Sequence, residues 1–264
     1  MGIGDFYAAD GLGDFRAAEA VGDHMPGASV AFPVVERFVS LNGEGLCAGR
    51  PAAFVRFRGC NLDCSYCDTR WANDSDARAQ ELRLWDVVDW VRDTGLSCVT
   101  LTGGEPLLQA GLRELVLALL RVGSPKPLRV EVETNGSVSV QDLRAARITA
   151  RQEQLPGRLV LTIDCKTPSS GNPMGDDMMQ QNFRSFEGGD SVKFVVGSRE
   201  DLEFMERVAG KWRLWDRCAV LVSPVWGKIE PAEIAEFLVD RKLDRARLQL
   251  QLHKIIWPGV EKGV

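Results

Sequence analysis

Histidine is scarce: this chain of 264 residues has two, His24 and His253, far apart in sequence. A zinc site completed by neighbouring imidazoles therefore has little to draw on. No apolar run approaches the ~20 residues that a membrane-crossing helix needs. Positive charge is not in excess either. Lys and Arg total 32 against 37 Asp and Glu, a net charge of −5. That balance offers nothing for electrostatic capture of nucleic acid or of an anionic membrane. The opening stretch, MGIGDFYAADGLGDF, lacks a basic segment ahead of an apolar one, so it does not read as a secretory signal. Phe6 stands where a myristoylation start would carry Ser or Thr. Seven cysteines, an odd number, are too sparse for a secreted disulfide framework in so long a chain. The expectation is a cytoplasmic protein with no nucleic-acid and no membrane partner.

What is present fits one large α/β domain. Apolar residues make up 45% and charged residues 26%, ordinary for a globular chain. Residues 1–30 are rich in Gly, Ala and Asp without periodicity and are expected to be an extension, partly disordered or locally helical. The domain is expected over 31–264. Residues 34–40 and 52–58 alternate like strands, with glycines between them. A β/α rhythm follows. Strands are expected at 97–102, 128–134, 158–166, 191–197, 218–225 and 246–254. Helices are expected around Leu84–Val91, from Pro106 onward, over about 199–212 and from Pro231. Such alternation implies a parallel sheet with right-handed crossovers and helices outside. About six units are fewer than a closed barrel requires, so an incomplete (β/α) barrel is expected. TGGEP, ETNGS, DCKTPSSG and the cysteine loop all follow strands, where barrel chemistry gathers.

That loop reads GCNLDCSYCDT, with Cys60, Cys64 and Cys67 at C-x3-C-x2-C spacing. A structural zinc commonly takes four protein ligands, and Cys47 is a candidate fourth that the spacing does not require. A [4Fe-4S] cluster on three thiolates keeps one iron open to a further ligand. The trio with Tyr66 before its last cysteine, and TGGEP at 102–106, resemble the signatures of the radical S-adenosylmethionine superfamily. Three further stretches, 39–69, VEVETNGS and the C-terminal LQLQLHKIIWPGVEKGV, resemble 7-carboxy-7-deazaguanine synthases from about residue 33 onward. The resemblance implies conversion of 6-carboxy-5,6,7,8-tetrahydropterin to 7-carboxy-7-deazaguanine with loss of ammonia. It also implies a [4Fe-4S] cluster, S-adenosylmethionine, Mg²⁺, a homodimer, and an electron donor such as flavodoxin or ferredoxin.

The resemblance also distributes roles. Cys60, Cys64 and Cys67 would hold the cluster. Ser65, Tyr66, Gly103, Gly104, Glu105, Glu133, Asp164 and Lys166 would lie by S-adenosylmethionine. Thr69 would ligate Mg²⁺, supported by Asp68. Leu41, Asn42, Gly43, Glu44, Arg56, Thr102, His253 and the terminal carboxylate of Val264 would hold the pterin. Asn42 departs from the Gln of many members, and Asp164-Cys165-Lys166 from their Ser-Pro-Lys. Taken singly, these residues have plainer readings. His253 would be a structural histidine on a strand, Glu44 an exposed loop charge, Arg56 an ion-paired surface residue and Asn135-Gly136 a turn. Cys47, Cys98, Cys165 and Cys218 read as core thiols and the seven tryptophans as packing residues. A glycyl-radical activase and a zinc-binding module are the rival functions.

Overall fold

Eleven residues of alternating pattern, AFPVVERFVSL, form the first strand, β1 (Ala31–Leu41), in a computed structural model that describes residues 30–74, 76–123 and 125–264. The extension expected over 1–30 lies, apart from Val30, outside the described residues, as does His24. The strand β2 (Pro51–Phe57) folds back antiparallel to β1. A single turn, α1 (Arg70–Asn73), leads to β3 (Gln80–Arg83), which caps the outer edge of β1 antiparallel to it. The rhythm then settles: α2 (Leu84–Asp93), β4 (Cys98–Gly103), α3 (Leu112–Arg121), β5 (Arg129–Thr134), α4 (Gln141–Gln152), β6 (Arg158–Asp164), α5 (Asp176–Phe183), β7 (Ser191–Val196), α6 (Arg199–Lys211), β8 (Ala219–Pro224), α7 (Pro231–Asp240) and β9 (Ala246–Leu248). Among the described residues, nine strands make one sheet in the order β3-β1-β2-β4-β5-β6-β7-β8-β9, parallel from β2 onward. Six crossovers join β2 through β9, so the incomplete barrel of about six units is the fold observed.

Parallel strands covered on both faces usually read as continuous apolar runs. Here they alternate. Val99, Leu101, Val130, Val132, Leu161, Ile163, Val192 and Phe194 are all buried in the core beneath the helices. They pack with Leu115, Leu119, Leu143, Met205 and Phe237. The intervening residues point the other way, as period-two geometry requires, and are polar: Thr100, Thr102, Glu131, Glu133, Thr162, Asp164, Ser191 and Lys193. The helices thus cover an apolar face, and the concave face is a polar lumen.

Three sequence expectations need correction. The last strand stops at Leu248, not residue 254, and His253 sits on a short helix, α8 (Leu252–Ile256). The alternation through Gln249 and Leu250 is genuine, but among the described residues no strand lies beyond β9 to pair with it. Instead the Leu252 amide donates to the Gly43 carbonyl (3.0 Å), which turns the chain inward. The helix expected from Pro106 is interrupted. A 3-10 turn covers Pro106–Leu108, and Gly111, at φ 84°, reorients the chain before α3. Trp226 is exposed and Trp71 lines the central cavity, so those two do not pack the core. The elements β3 and α5 had no strong signal; α5, DDMMQQNF, is mostly polar.

A buried ion pair ties α4 to the β7 approach. Arg147 donates to both carboxylate oxygens of Asp190, which also accepts from the amides of Leu161 and Glu187 at 2.8 Å each. Asp190→Ala strands the buried guanidinium and two amides. Its expected cost is about 3–5 kcal/mol in urea unfolding; a loss below ~1 kcal/mol would show the pair to be dispensable.

Candidate active site

The cysteine loop leaves the C-terminal end of β2 and is tied down on three sides. The Gly59 amide donates to Ala72 O (3.0 Å). Ser65 N donates to Ser170 O (3.0 Å), and Ser65 Oγ to Ser169 O (2.7 Å). On the third side lie the two glycines of TGGEP. A Cβ on Gly104 would fall 1.8 Å from Gly59 O, and one on Gly103 would meet Phe57 O at 2.3 Å. Gly103 also has φ 139°, a conformation side chains rarely adopt. The close approach that needs these glycines is thus that of the cysteine loop itself, clasped by Glu105 N donating to Gly59 O (2.8 Å).

All seven cysteines are free. Two loop thiols already receive weak donors: Cys60 Sγ from Leu62 N (3.4 Å) and Asn135 Nδ2 (3.5 Å), and Cys67 Sγ from Asn73 Nδ2 (3.5 Å). A tetrahedral zinc with Zn–S near 2.3 Å would need sulfurs about 3.8 Å apart. Among the described residues, the three such ligand atoms within 4.8 Å of one another belong to Cys47, Cys98 and Glu131, not to the loop. The loop thiols are therefore not gathered as closely as one tetrahedral zinc would require.

These thiols form one wall of a cavity of about 770 Å³ at the C-terminal ends of the strands. Tyr66 and Thr69 share that wall; Gly103, Gly104 and Thr102 follow from β4, Glu133 from β5, and Asp164 and Lys166 from β6. Leu41, Asn42, Gly43, Glu44 and Arg56 come from β1, β2 and the loop joining them, and His253 and Val264 from the C-terminal segment. Two expected residues lie outside the lining. Glu105 is fully buried, its carboxylate accepting from Leu107 N (2.9 Å), Thr134 Oγ1 (2.7 Å) and Asn135 N (2.7 Å). Ser65 is turned to Ser169. Asp68 pairs with Lys254 (3.2 Å).

Lys193 is one lining residue that sequence reasoning missed. Its Nζ lies 3.2 Å from Glu44 Oε2 and 3.9 Å from Asp164 Oδ2. Burial alone would lower its pKa, but Glu44, Asp164 and Glu133 outweigh burial and hold it above the ordinary lysine range. The available signal was a single cation within the apolar run SVKFVVG. The Glu44 carboxylate keeps Oε1 buried with no partner, as Asp164 keeps Oδ1. Buried acceptors of this kind are costly unless a ligand supplies donors. Asn42 is turned away: Nδ2 donates to Cys98 Sγ (3.6 Å) and Oδ1 accepts from Thr100 Oγ1 (3.1 Å). The shorter amide therefore braces the loop from below. Arg56 Nε donates to Glu36 (2.7 Å), whose other oxygen accepts from Gly263 N (3.2 Å), so the C-terminus is fastened beside the guanidinium. Gly43 makes room for His253: a Cβ there would lie 2.3 Å from Nδ1.

A model of the radical SAM superfamily matches residues 54–151. The fold, the three-thiol wall and that match define the class: a radical S-adenosylmethionine enzyme, which holds a [4Fe-4S] cluster and S-adenosylmethionine. Among the relatives that carry the name 7-carboxy-7-deazaguanine synthase are two that each match 88% of this chain. The one from Clostridium acetobutylicum is 42% identical over 88% of this chain and 99% of its own length. The one from Methanospirillum hungatei is 36% identical over 88% and 89%. The chain belongs to the 7-carboxy-7-deazaguanine synthase family. The crystal structure of QueE from Escherichia coli matches at TM-score 0.59 and 18% identity, covering 84% of this chain and 94% of that one, a likeness of fold. The activase and zinc-module readings give way to this assignment.

Glu133 carries a pH prediction. Burial pushes its carboxyl up to about 7, with Glu131 and Glu44 adding to the rise and Lys193 opposing it. An acid with a raised native pKa favours folding while protonated and loses that contribution as pH rises through the native value. Between about pH 5 and about pH 8, Glu133→Gln should therefore gain unfolding free energy relative to wild type. Parallel curves for the two proteins across that window would refute the shift.

Proposed function

We propose that this chain converts 6-carboxy-5,6,7,8-tetrahydropterin to 7-carboxy-7-deazaguanine with loss of ammonia, in 7-deazapurine biosynthesis of the queuosine type. The observation that carries this reading is a cavity with three thiols on one wall that is also bordered by Glu44, whose Oε1 is buried without a partner. The guanidine-like edge of a pterin supplies the N–H donors that such an oxygen lacks.

Cys60, Cys64 and Cys67 hold the [4Fe-4S] cluster in this proposal. With S-adenosylmethionine bound and one electron delivered to it, the cluster would supply the chemistry that cleaves S-adenosylmethionine to methionine and a 5′-deoxyadenosyl radical. Tyr66, Gly103, Gly104, Glu133, Asp164 and Lys166 border the S-adenosylmethionine space. Asp164 Oδ2 is neutralised by Lys166 at 2.8 Å, which leaves Oδ1 to receive an ammonium or hydroxyl donor. Ser65 and Glu105 act from behind, fixing the cysteine loop and the Asn135 turn. Thr69 offers a hydroxyl to Mg²⁺, a hard ion that keeps non-protein ligands. Leu41, Gly43, Glu44, Thr102 and His253 border the pterin, with Asn42 bracing their loop. Arg56 and the Val264 terminus sit where they can meet the substrate carboxylate and its hydrogen-bonding edge. Lys193 Nζ, 3.2 Å from Glu44 Oε2, holds that carboxylate in place. We extend the proposal to a cytoplasmic homodimer with one domain over 31–264, an N-terminal extension and a flavodoxin or ferredoxin as electron donor. Among the described residues no helix is long and apolar enough to cross a membrane.

An anaerobic assay tests the reading. The reconstituted protein receives S-adenosylmethionine, Mg²⁺, dithionite and the tetrahydropterin, and mass spectrometry follows the deazaguanine. Product with many turnovers per S-adenosylmethionine is expected; 5′-deoxyadenosine without product would reassign the substrate. Cys64→Ala should abolish that cleavage. Arg56→Ala and Lys193→Met should each weaken pterin binding by ~2–4 kcal/mol, read as KM, because each removes the cation that answers a largely buried carboxylate, Glu36 or Glu44. An unchanged KM would remove the residue from the substrate side of the cavity.

A further inference from the structure

Beneath the cavity lies a second group of metal-ligating atoms that the proposed reaction does not use. Cys47 belongs to the loop after β1, three residues past Glu44; Cys98 opens β4; Glu131 is in β5, two residues before Glu133. One ligand atom from each lies within 4.8 Å of the others, and the three residues are 3%, 1% and 3% exposed. Cys47 is thus placed with Cys98 rather than as a fourth ligand for the loop cysteines.

We propose that Cys47, Cys98 and Glu131 bind a thiophilic divalent cation of the zinc type. Two sulfurs and one carboxylate oxygen suit zinc, whereas magnesium and calcium want oxygen alone. Core thiols need no carboxylate among them, and a buried carboxylate is costly unless its charge is met. The surroundings are those of a supported ligand set. Thr162 Oγ1 donates to Glu131 Oε1 (2.6 Å) and meets Ser191 Oγ at 2.8 Å. Asn42 Nδ2 donates to Cys98 Sγ. Arg129 Nε is buried without a hydrogen-bond partner, 4.0 Å from Glu131 Oε2. Two thiolates and a carboxylate around a dication leave one negative charge, which Arg129 balances. Gly45 closes the site from the loop side, since a Cβ there would come within 3.0 Å of Glu131 Oε1. Three protein ligands leave a fourth position for water. The bound cation would fasten the loop bearing Glu44 to the strands bearing Thr102 and Glu133, bracing the substrate side of the cavity from below.

The test separates this site from the cluster. A protein carrying Cys60→Ser, Cys64→Ser and Cys67→Ser together retains Cys47, Cys98 and Glu131 and is titrated anaerobically with Co²⁺. A sulfur-to-cobalt charge-transfer band saturating at one equivalent is expected. Adding Cys98→Ser should abolish it, and adding Glu131→Gln should weaken binding roughly tenfold or more. In parallel, elemental analysis of the cluster-loaded wild type grown with Zn²⁺ should find one zinc per chain, lost in Cys47→Ser; this measurement decides if the triple variant does not fold. Absence of both band and zinc, or recovery of Cys47 and Cys98 as a disulfide from anaerobic protein, would overturn the site. Neither measurement reads pterin turnover, so failure here is distinct from failure of the proposed reaction.

Discussion

Lys193 and the carboxylates around it govern how the lumen is organised. A lysine inside a barrel is tolerable only if opposite charge meets it. Here Glu44 arrives from the loop after β1 and Asp164 from the end of β6, while Glu133 stands on β5 between them. The ammonium therefore joins a loop to strands that no backbone ladder connects to it. Each carboxylate that answers Lys193 keeps one further oxygen or one unusual protonation property in reserve. Glu44 and Asp164 each retain an unpartnered oxygen, and Glu133 titrates near neutrality. Remove the cation, and three acids are left facing one another in a low-dielectric space.

That arrangement depends on the two-faced strands. Apolar residues anchor each strand under its helices, so the polar residues between them are forced inward at a fixed depth. Depth then separates tasks. The lower layer, Thr100, Glu131, Thr162 and Ser191, is buried and largely satisfied within itself. The upper layer, Thr102, Glu133, Asp164 and Lys193, borders the cavity. The cysteine loop closes the top, and it can sit so close to β4 only because Gly103 and Gly104 lack side chains.

Much of this was legible. The β/α rhythm, the number of units and the convergence of the motifs at strand ends all follow from periodicity, since apolar spacing is imposed locally by the helix and strand repeat. The plain readings of single residues fared unevenly. Glu44 is not an exposed loop charge but a half-buried partner of Lys193, and Arg56 is ion-paired but at the cavity rather than the surface. The turn at Asn135-Gly136 is a turn, yet its amide also reaches Cys60. The strand expected through His253 failed because alternation specifies a strand only where a neighbour exists to pair with it. The tight neighbour of the glycine pair in TGGEP is backbone more than forty residues earlier in the chain, a closeness no local pattern announces.

By itself, then, the sequence determined the fold class, the position of the thiol loop at the mouth and the family, because local periodicity and short motifs carry those. Only the tertiary structure decided which polar atoms meet. It turned Asn42 down toward Cys98 and placed Lys193 between Glu44 and Asp164. It directed Glu105 to the Asn135 turn, folded His253 over Gly43 and gathered Cys47, Cys98 and Glu131. Each of these pairings joins residues distant in sequence, and their partners are selected by burial and by the cost of leaving a charge or donor unmatched. That cost has no signature in a linear pattern and exists only once the strands are side by side.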